Sequence, residues 1–353
     1  MKIIDFRFFK KDDLYSLFLL TVLRTFSLNN KFKIVIYLNT EVDKEFFDFS
    51  CELKIVKEKQ NIIDDFLISS KYKKEKFDMM IFFNEYKPIL YKKNYIIVIQ
   101  DLQKVLYAFK STIAKHYYLK LIEQNLKSSK KVICFNKQIL SDINERFNIE
   151  ENKISVINGF FGFDDFNLNK ELKKQLNIKE KYKIEDYLIY DLSNSEVKNL
   201  EKIFLALKNL KDETILKLFV LEKNSENIEF RKVVLDYKIS DLVFFVDVEI
   251  EYLQFYYKQS LVVYPNIYDA FPFGLNNAVI YNIPILTSDS ITMRDLFDKI
   301  EYFNILSNTD TYKSLINFTS NNKKNINYSD IIAIDSDKEY VKKLEKVIEL
   351  LLN

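Results

Sequence analysis

The stretch YPNIYDAFPFGLNNAVIYNIP, residues 264–284, decides how the rest of the chain is read. The 353 residues include three glycines and four prolines, and this window holds Gly274, Pro265, Pro272 and Pro284. In a chain that otherwise avoids such residues, those that remain mark places where the backbone needs them. The apolar run Leu261–Tyr264 predicts a strand, which Pro265 ends. Tyr268–Pro272 forms the following loop, and a helix begins at Phe273 or Gly274. Asn282 and Pro284 close that helix, because Asn tolerates a left-handed cap and Pro cannot continue the ladder.

A loop at the end of a parallel strand lies on the ligand side of its sheet. The first amides of the helix, at Phe273 and Gly274 with Leu275 following, have no intrahelical partner and suit a phosphate. Gly274 permits its close approach. Asp269 places a carboxylate beside them, suited to the hydroxyls of a sugar. The same residues also suit a plain strand–turn–helix connection that only packs, since any such connection exposes helix N–H groups.

Composition narrows the classes of function. With 48% hydrophobic and 29% charged residues, the chain is globular with an ample core. A net charge of +2, mixed along the chain, gives no electrostatic case for nucleic acid. The apolar run Leu17–Leu20 falls far short of a bilayer span, and no signal peptide is visible. Cys51 and Cys134 form neither a disulfide framework nor a metal spacing and read as small buried hydrophobes. A cytoplasmic location follows. The lysine-rich N-terminal half leaves open a peripheral membrane contact.

Along the chain, β-branched and aromatic runs alternate with helical patterns, as in α/β domains with parallel sheets. Strands are expected at Ile3–Phe9, Phe32–Leu38, Met79–Asn84, Tyr95–Gln100, Val132–Asn136 and Ser155–Ile157. In the second half they are expected at Tyr187–Tyr190, Leu216–Leu221, Leu242–Val246, Leu261–Tyr264, Ile285–Thr287 and Tyr302–Ile305. Helices are expected over 12–26, Lys110–Leu126, Lys137–Phe147, Asn199–Leu210, Glu249–Gln259, Leu275–Tyr281, Met293–Asp298 and Asp337–Leu352. The segment INGFFGFDDFN, residues 157–167, contains the other two glycines, Gly159 and Gly162, and divides the halves. Three parts follow: a domain over 1–160, a second over 161–335, and a closing helix over 336–353. Two such domains leave a cleft between them, where ligands of open parallel sheets bind.

Across more than twenty residues without a gap, the window resembles the signature loop of the retaining GT-B glycosyltransferases. That loop is a phrase like P-S-x-x-E-G-F-P-N-V-L-L-E-A-M-A-x-G-x-P-V-I. Pro265-Asn266 stands at P-S, Asp269 at the first Glu and Phe271-Pro272 at F-P. Asn277-Ala278-Val279 stands at E-A-M, and Asn282-Ile283-Pro284-Ile285-Leu286 at G-x-P-V-I. YDLSNSEVKNLEKIFLALKNL is similar to the family's G-R-L-x-x-x-K-N-L phrase, which puts Lys198 at the motif lysine. The resemblance runs from about residue 95 to the end.

It implies a GT-B architecture: two Rossmann-like domains whose parallel sheets face a central cleft, with the C-terminal helix returning to the first domain. It implies acceptor binding by the first domain and nucleotide-sugar binding by the second. The donor is a substrate, so no cofactor and no metal are expected; fixed cations and helix amides would meet the diphosphate. In that scheme Asp269 and Lys198 are catalytic. Phe273, Gly274, Leu275 and Asn277 hold the donor, with Gln100 and Asp101 at the family's His-Asp pair.

The chain also departs from the pattern. Asp191 and Leu192 occupy the region of the family's Arg, Asn277 replaces the second Glu, and Asp269 is one methylene shorter than the first. Gln100 replaces the His, while the chain's single histidine, His116, falls mid-helix and reads as a packing or surface residue. Two functions therefore compete. One is an active glycosyltransferase acting on a glycan, lipid or protein acceptor. The other is a catalytically silent GT-B-fold partner of such an enzyme.

Overall fold

The computed structural model describes residues 2–5, 16, 19–20, 22–24, 27, 34–38, 47, 49–55, 68–70, 72, 74, 79–83, 87–88, 90–102, 106, 112–157, 187–191, 199–211, 216–222, 228–247, 260–268, 272, 275, 278–279, 282–297, 300–321, 342–343 and 345–346. The chain divides into two compact units, Met1–Gly162 with Ile334–Asn353, and Phe163–Ala333. The C-terminal segment thus clusters with the first unit rather than with the unit that precedes it.

The first unit carries a parallel sheet of β1 (Lys2–Asp5), β2 (Ile34–Leu38), β3 (Glu52–Ile55), β4 (Met79–Phe82), β5 (Tyr95–Ile99), β6 (Lys131–Cys134) and β7 (Ile154–Val156). Its spatial order is β3-β2-β1-β4-β5-β6-β7. Strands β4 and β5 are buried at every position, which is why MMIF and YIIVI are continuous apolar runs. Helix α1 (Thr112–Ser128) connects β5 to β6, and α2 (Lys137–Arg146) connects β6 to β7. The Asn136 side chain caps α2, its oxygen accepting from the Ile139 N–H at 3.0 Å.

The second unit has β8 (Tyr187–Asp191), β9 (Lys217–Glu222), β10 (Val243–Asp247), β11 (Ser260–Tyr264), β12 (Ile285–Ser288) and β13 (Glu301–Phe303), all parallel. The order is β10-β9-β8-β11-β12-β13. Helices α3 (Leu200–Leu210), α4 (Ile228–Asp236), α5 (Ile291–Leu296) and α6 (Asn308–Asn321) complete the described elements. Aromatic rings fill much of both interiors: Tyr187 meets Phe219 edge-on at 5.3 Å, and Phe82 meets Tyr95 at 5.7 Å.

Both sheets reverse their winding once. In the first unit the chain steps outward from β1 to β3 and resumes on the other side of β1 with β4. In the second it steps from β8 to β10 and resumes beside β8 with β11. The junctions β1/β4 and β8/β11 are the switch points at which open α/β sheets bind ligands, outside the carboxyl ends of the strands.

Several elements differ from the sequence-based expectation. Strand β3, helix α4 and helix α6 were not anticipated. Strand β3 is a short edge strand with two charges in four residues, and α6 is mostly polar, so neither carries a clear apolar stripe. Helix α5 starts at Ile291 rather than Met293, because Ser290 caps it by accepting from the Met293 N–H at 3.3 Å. Cys51 is half-exposed rather than buried, whereas Cys134 is buried as expected. The expected helix at Glu249–Gln259 lies outside the described residues.

Candidate functional site

The window begins where the second sheet reverses. Strand β11 pairs with β8 on one side, Val262 opposite Ile189, and with β12 on the other, Tyr264 opposite Thr287. Its carboxyl end is therefore flanked by those of β8 and β12, and each neighbour supplies a polar side chain. The Tyr190 hydroxyl donates to the Asn266 side-chain oxygen at 3.0 Å, with both residues fully buried. The Ser288 hydroxyl donates to the Asn266 backbone carbonyl, and the Thr287 hydroxyl to the Tyr264 carbonyl at 3.1 Å. Asn266 thus sits across the β8/β11 switch point. Buried polar groups persist where they are paired, and these pairs fix the path of the chain as it leaves the strand.

Beyond that anchor, Tyr268, Pro272, Leu275, Ala278 and Val279 are buried. The Leu275 N–H donates to the Pro272 carbonyl at 2.9 Å, closing a turn. Leu275 was expected among the donor-binding residues. Its side chain packs in the core and its amide is engaged within the loop. The helical stretch at Ala278–Val279 ends as the sequence suggests: Asn282 adopts φ 54°, in the left-handed region. The Ile283 N–H then bonds the Ala278 carbonyl at 2.7 Å and the Asn282 N–H the Val279 carbonyl at 3.1 Å. This crossed pair is the Schellman arrangement, which satisfies the last carbonyls of a helix.

The other expected residues divide by location. Asp269, Phe273, Gly274, Asn277 and Lys198 lie outside the described residues. Asn199, next to Lys198, stands immediately before helix α3, the next described element after β8. Gln100 and Asp101 belong to the first unit, half-buried at the carboxyl end of β5. Near them in the sheet order, Asp5 ends β1 at the first unit's switch point and is buried. His116 is exposed on α1. Burial pushes the Cys51 thiol up to about 11 and the Cys134 thiol up to about 12, so both stay protonated near neutral pH and are poor nucleophiles. Among the described residues, no group of three or more His, Cys, Asp or Glu could hold a metal ion, and no helix is long and apolar enough to cross a membrane.

One cluster escaped the sequence reading. Glu222, the last residue of β9, is 1% exposed and pairs with Arg231 of α4. The Arg231 guanidinium lies over the ring of Phe245, in β10, at 4.3 Å. The three residues gather at the carboxyl half of strands β9 and β10, on the same sheet as the window. Nine positions separate the two charges, so no local spacing signals the pair.

No family model matches the chain. It is similar to the O-antigen chain mannosyltransferase RfbU of Salmonella typhimurium strain LT2, with 25% identity over 199 residues. That match covers 56% of this chain and 52% of RfbU, so the chain spans about half the length of this relative. Among solved structures it is similar to WaaG, a glycosyltransferase involved in lipopolysaccharide biosynthesis, at 14% identity, 99% coverage of both chains and a TM-score of 0.66. It is also similar to HepE of Anabaena, whose structure is in complex with UDP-glucose, at 10% identity, 99% coverage of both chains and a TM-score of 0.69. At such identities the structural likeness speaks to fold, and it extends over nearly the whole chain. With two parallel-sheet α/β units, each reversing once, this chain has the GT-B fold that its sequence resembles.

Proposed function

We propose that the chain is a glycosyltransferase that moves a sugar from a nucleotide-diphosphate sugar to a glycan, lipid or protein acceptor with retention of configuration. The observation that carries this reading is placement. The segment resembling a donor-sugar loop leaves β11 at the β8/β11 switch point, and buried hydrogen bonds from Tyr190 and Ser288 hold its first residues there. The likeness to a mannosyltransferase, and to a protein captured with UDP-glucose, supports the same donor class.

In this reading Asp269 accepts from hydroxyls of the donor sugar, and Asn277 from the ribose. Lys198 and the Phe273 and Gly274 amides meet the charge that grows on the leaving diphosphate. Fixed dipoles and a fixed cation are strongest as catalysts where charge develops in a partly dry site, so no metal is required. Leu275, with its amide engaged by Pro272, keeps the turn in shape. Gln100 and Asp101 act from the first domain. The protein then works on the cytoplasmic side, at the inner membrane face where the acceptor is lipid-linked.

Calorimetric titration with a panel of nucleotides and nucleotide sugars, followed by donor-hydrolysis assays, tests the reading. We expect binding of one nucleotide class with slow hydrolysis of its sugar. Asp269→Ala should reduce turnover about a hundredfold or more while leaving the far-UV spectrum unchanged; unaltered turnover would remove Asp269 from the scheme. A second reading, a catalytically silent partner of a glycosyltransferase, is favoured by the replacement of the family's Arg, His and both Glu. The absence of binding by every nucleotide in the panel would select it.

A further inference from the structure

Glu222 raises a question that the donor loop does not answer. One of its carboxylate oxygens accepts from the Arg231 guanidinium; the other, Oε2, is buried and meets no hydrogen-bond donor among the described residues. A buried acceptor left without a donor destabilises the folded protein, the more so when it is charged. A sheet edge that keeps such an atom is therefore poised for a donor that the described residues do not supply. Arg231 is the matching half. Its guanidinium has five N–H donors; one bonds Glu222, the plane rests on Phe245, and the side chain is 39% exposed. An unused acceptor and unused donors thus stand side by side.

Their position fits the far end of a nucleotide. Strands β9 and β10 lie on the β8 side of the switch point, opposite the side from which the window leaves. Neighbouring strands are spaced about 4.8 Å apart, so β9 is about 10 Å from β11. A nucleoside diphosphate with its phosphates at the window reaches that far with its base.

We propose that Glu222 and Arg231 read the hydrogen-bonding edge of the donor's nucleobase, with Glu222 Oε2 accepting from a base N–H and Arg231 donating to the adjacent carbonyl. The assignment rests on the nucleotide-sugar reading above and adds a selectivity to it. An N–H directly beside a carbonyl belongs to uracil and guanine. Adenine and cytosine instead present an amino group beside a bare ring nitrogen, which places the acceptor differently for the guanidinium. Because Oε2 is enclosed, the base enters as the half-exposed Arg231 side chain swings to a neighbouring rotamer.

The test is calorimetric titration of UDP, GDP, ADP and CDP against the full chain, Glu222→Gln and Arg231→Ala, with thermal unfolding of each. We expect the unaltered protein to bind UDP or GDP about tenfold or more tighter than ADP and CDP, the size of one charge-assisted hydrogen bond. Both variants should shrink that gap to about threefold or less while still binding nucleotide through its phosphates. Glu222→Gln removes the buried charge and keeps the side-chain shape, so it keeps the test alive if Arg231→Ala, which leaves the Glu222 carboxylate without its cation, prevents folding. Unchanged selectivity in a folded variant, or no selectivity in the unaltered protein, overturns the assignment and leaves the donor reading standing. No binding of any of the four overturns both.

Discussion

Two buried polar residues stand at the carboxyl edge of the same sheet, and they are treated differently. Asn266, beside the switch point, receives the Tyr190 hydroxyl on its side chain and the Ser288 hydroxyl on its carbonyl. Glu222, two strands away from β11, has one oxygen on Arg231 and one with no donor among the described residues. A satisfied buried group contributes to shape, because a unique set of partners fixes one geometry. An unsatisfied one weakens the free protein and is retained most readily where something else completes it. The difference separates scaffold from recognition within a single edge.

The largest expected effect comes from breaking the scaffold side. Asn266→Ala removes the side-chain acceptor of the buried Tyr190 hydroxyl and should cost about 2–3 kcal/mol in urea unfolding. It should also weaken nucleotide binding, because the loop loses its anchor; full stability in this variant would show that the contact is incidental. Tyr190→Phe removes the donor and keeps the ring, for a smaller loss of about 1 kcal/mol. The double variant sharpens the point: two changes acting on one hydrogen bond should total clearly less than the sum of the single losses. The smallest effect on stability belongs to Glu222→Gln, within about 1 kcal/mol of the unaltered protein, since an amide relieves a buried charge while losing part of an ion pair. If Glu222→Gln proved as destabilising as Asn266→Ala, the proposed division between scaffold and recognition would fail.

How much of this was legible in the sequence depends on how local the signal is. The buried strands announce themselves because a parallel sheet covered on both faces needs unbroken apolar runs, as in YIIVI of β5. The end of the window's helix was legible for a similar reason, since Asn followed by Ile-Pro encodes a left-handed stop within four residues. Strand β3 and helix α6 were not legible: their places are set by neighbours in space, and their own residues are charged or polar. The frame of the window rests on its resemblance to a family loop, carried by Pro265-Asn266, Asp269, Phe271-Pro272, Asn277-Ala278-Val279 and Asn282-Ile283-Pro284. The Tyr190–Asn266 bond could not be read from the sequence, because 76 residues separate its partners. Nor could the Glu222–Arg231–Phe245 cluster, which exists only once α4 lies against β9 and β10.

The left-handed cap at Asn282 has a counterpart at the end of α4. There Lys238 takes φ 57°, and the Ile239 N–H bonds the Val234 carbonyl at 3.2 Å while the Lys238 N–H bonds the Leu235 carbonyl at 3.0 Å. Glycine is the usual occupant of both positions, and a side chain there costs about 1–2 kcal/mol, less for asparagine. This glycine-poor chain thus makes two left-handed helix endings with asparagine and lysine. Left-handed helix endings can therefore be present as geometry without glycine as their signal. A pattern search keyed to glycine passes over them, which is one way a chain can keep a fold that no family model recognises.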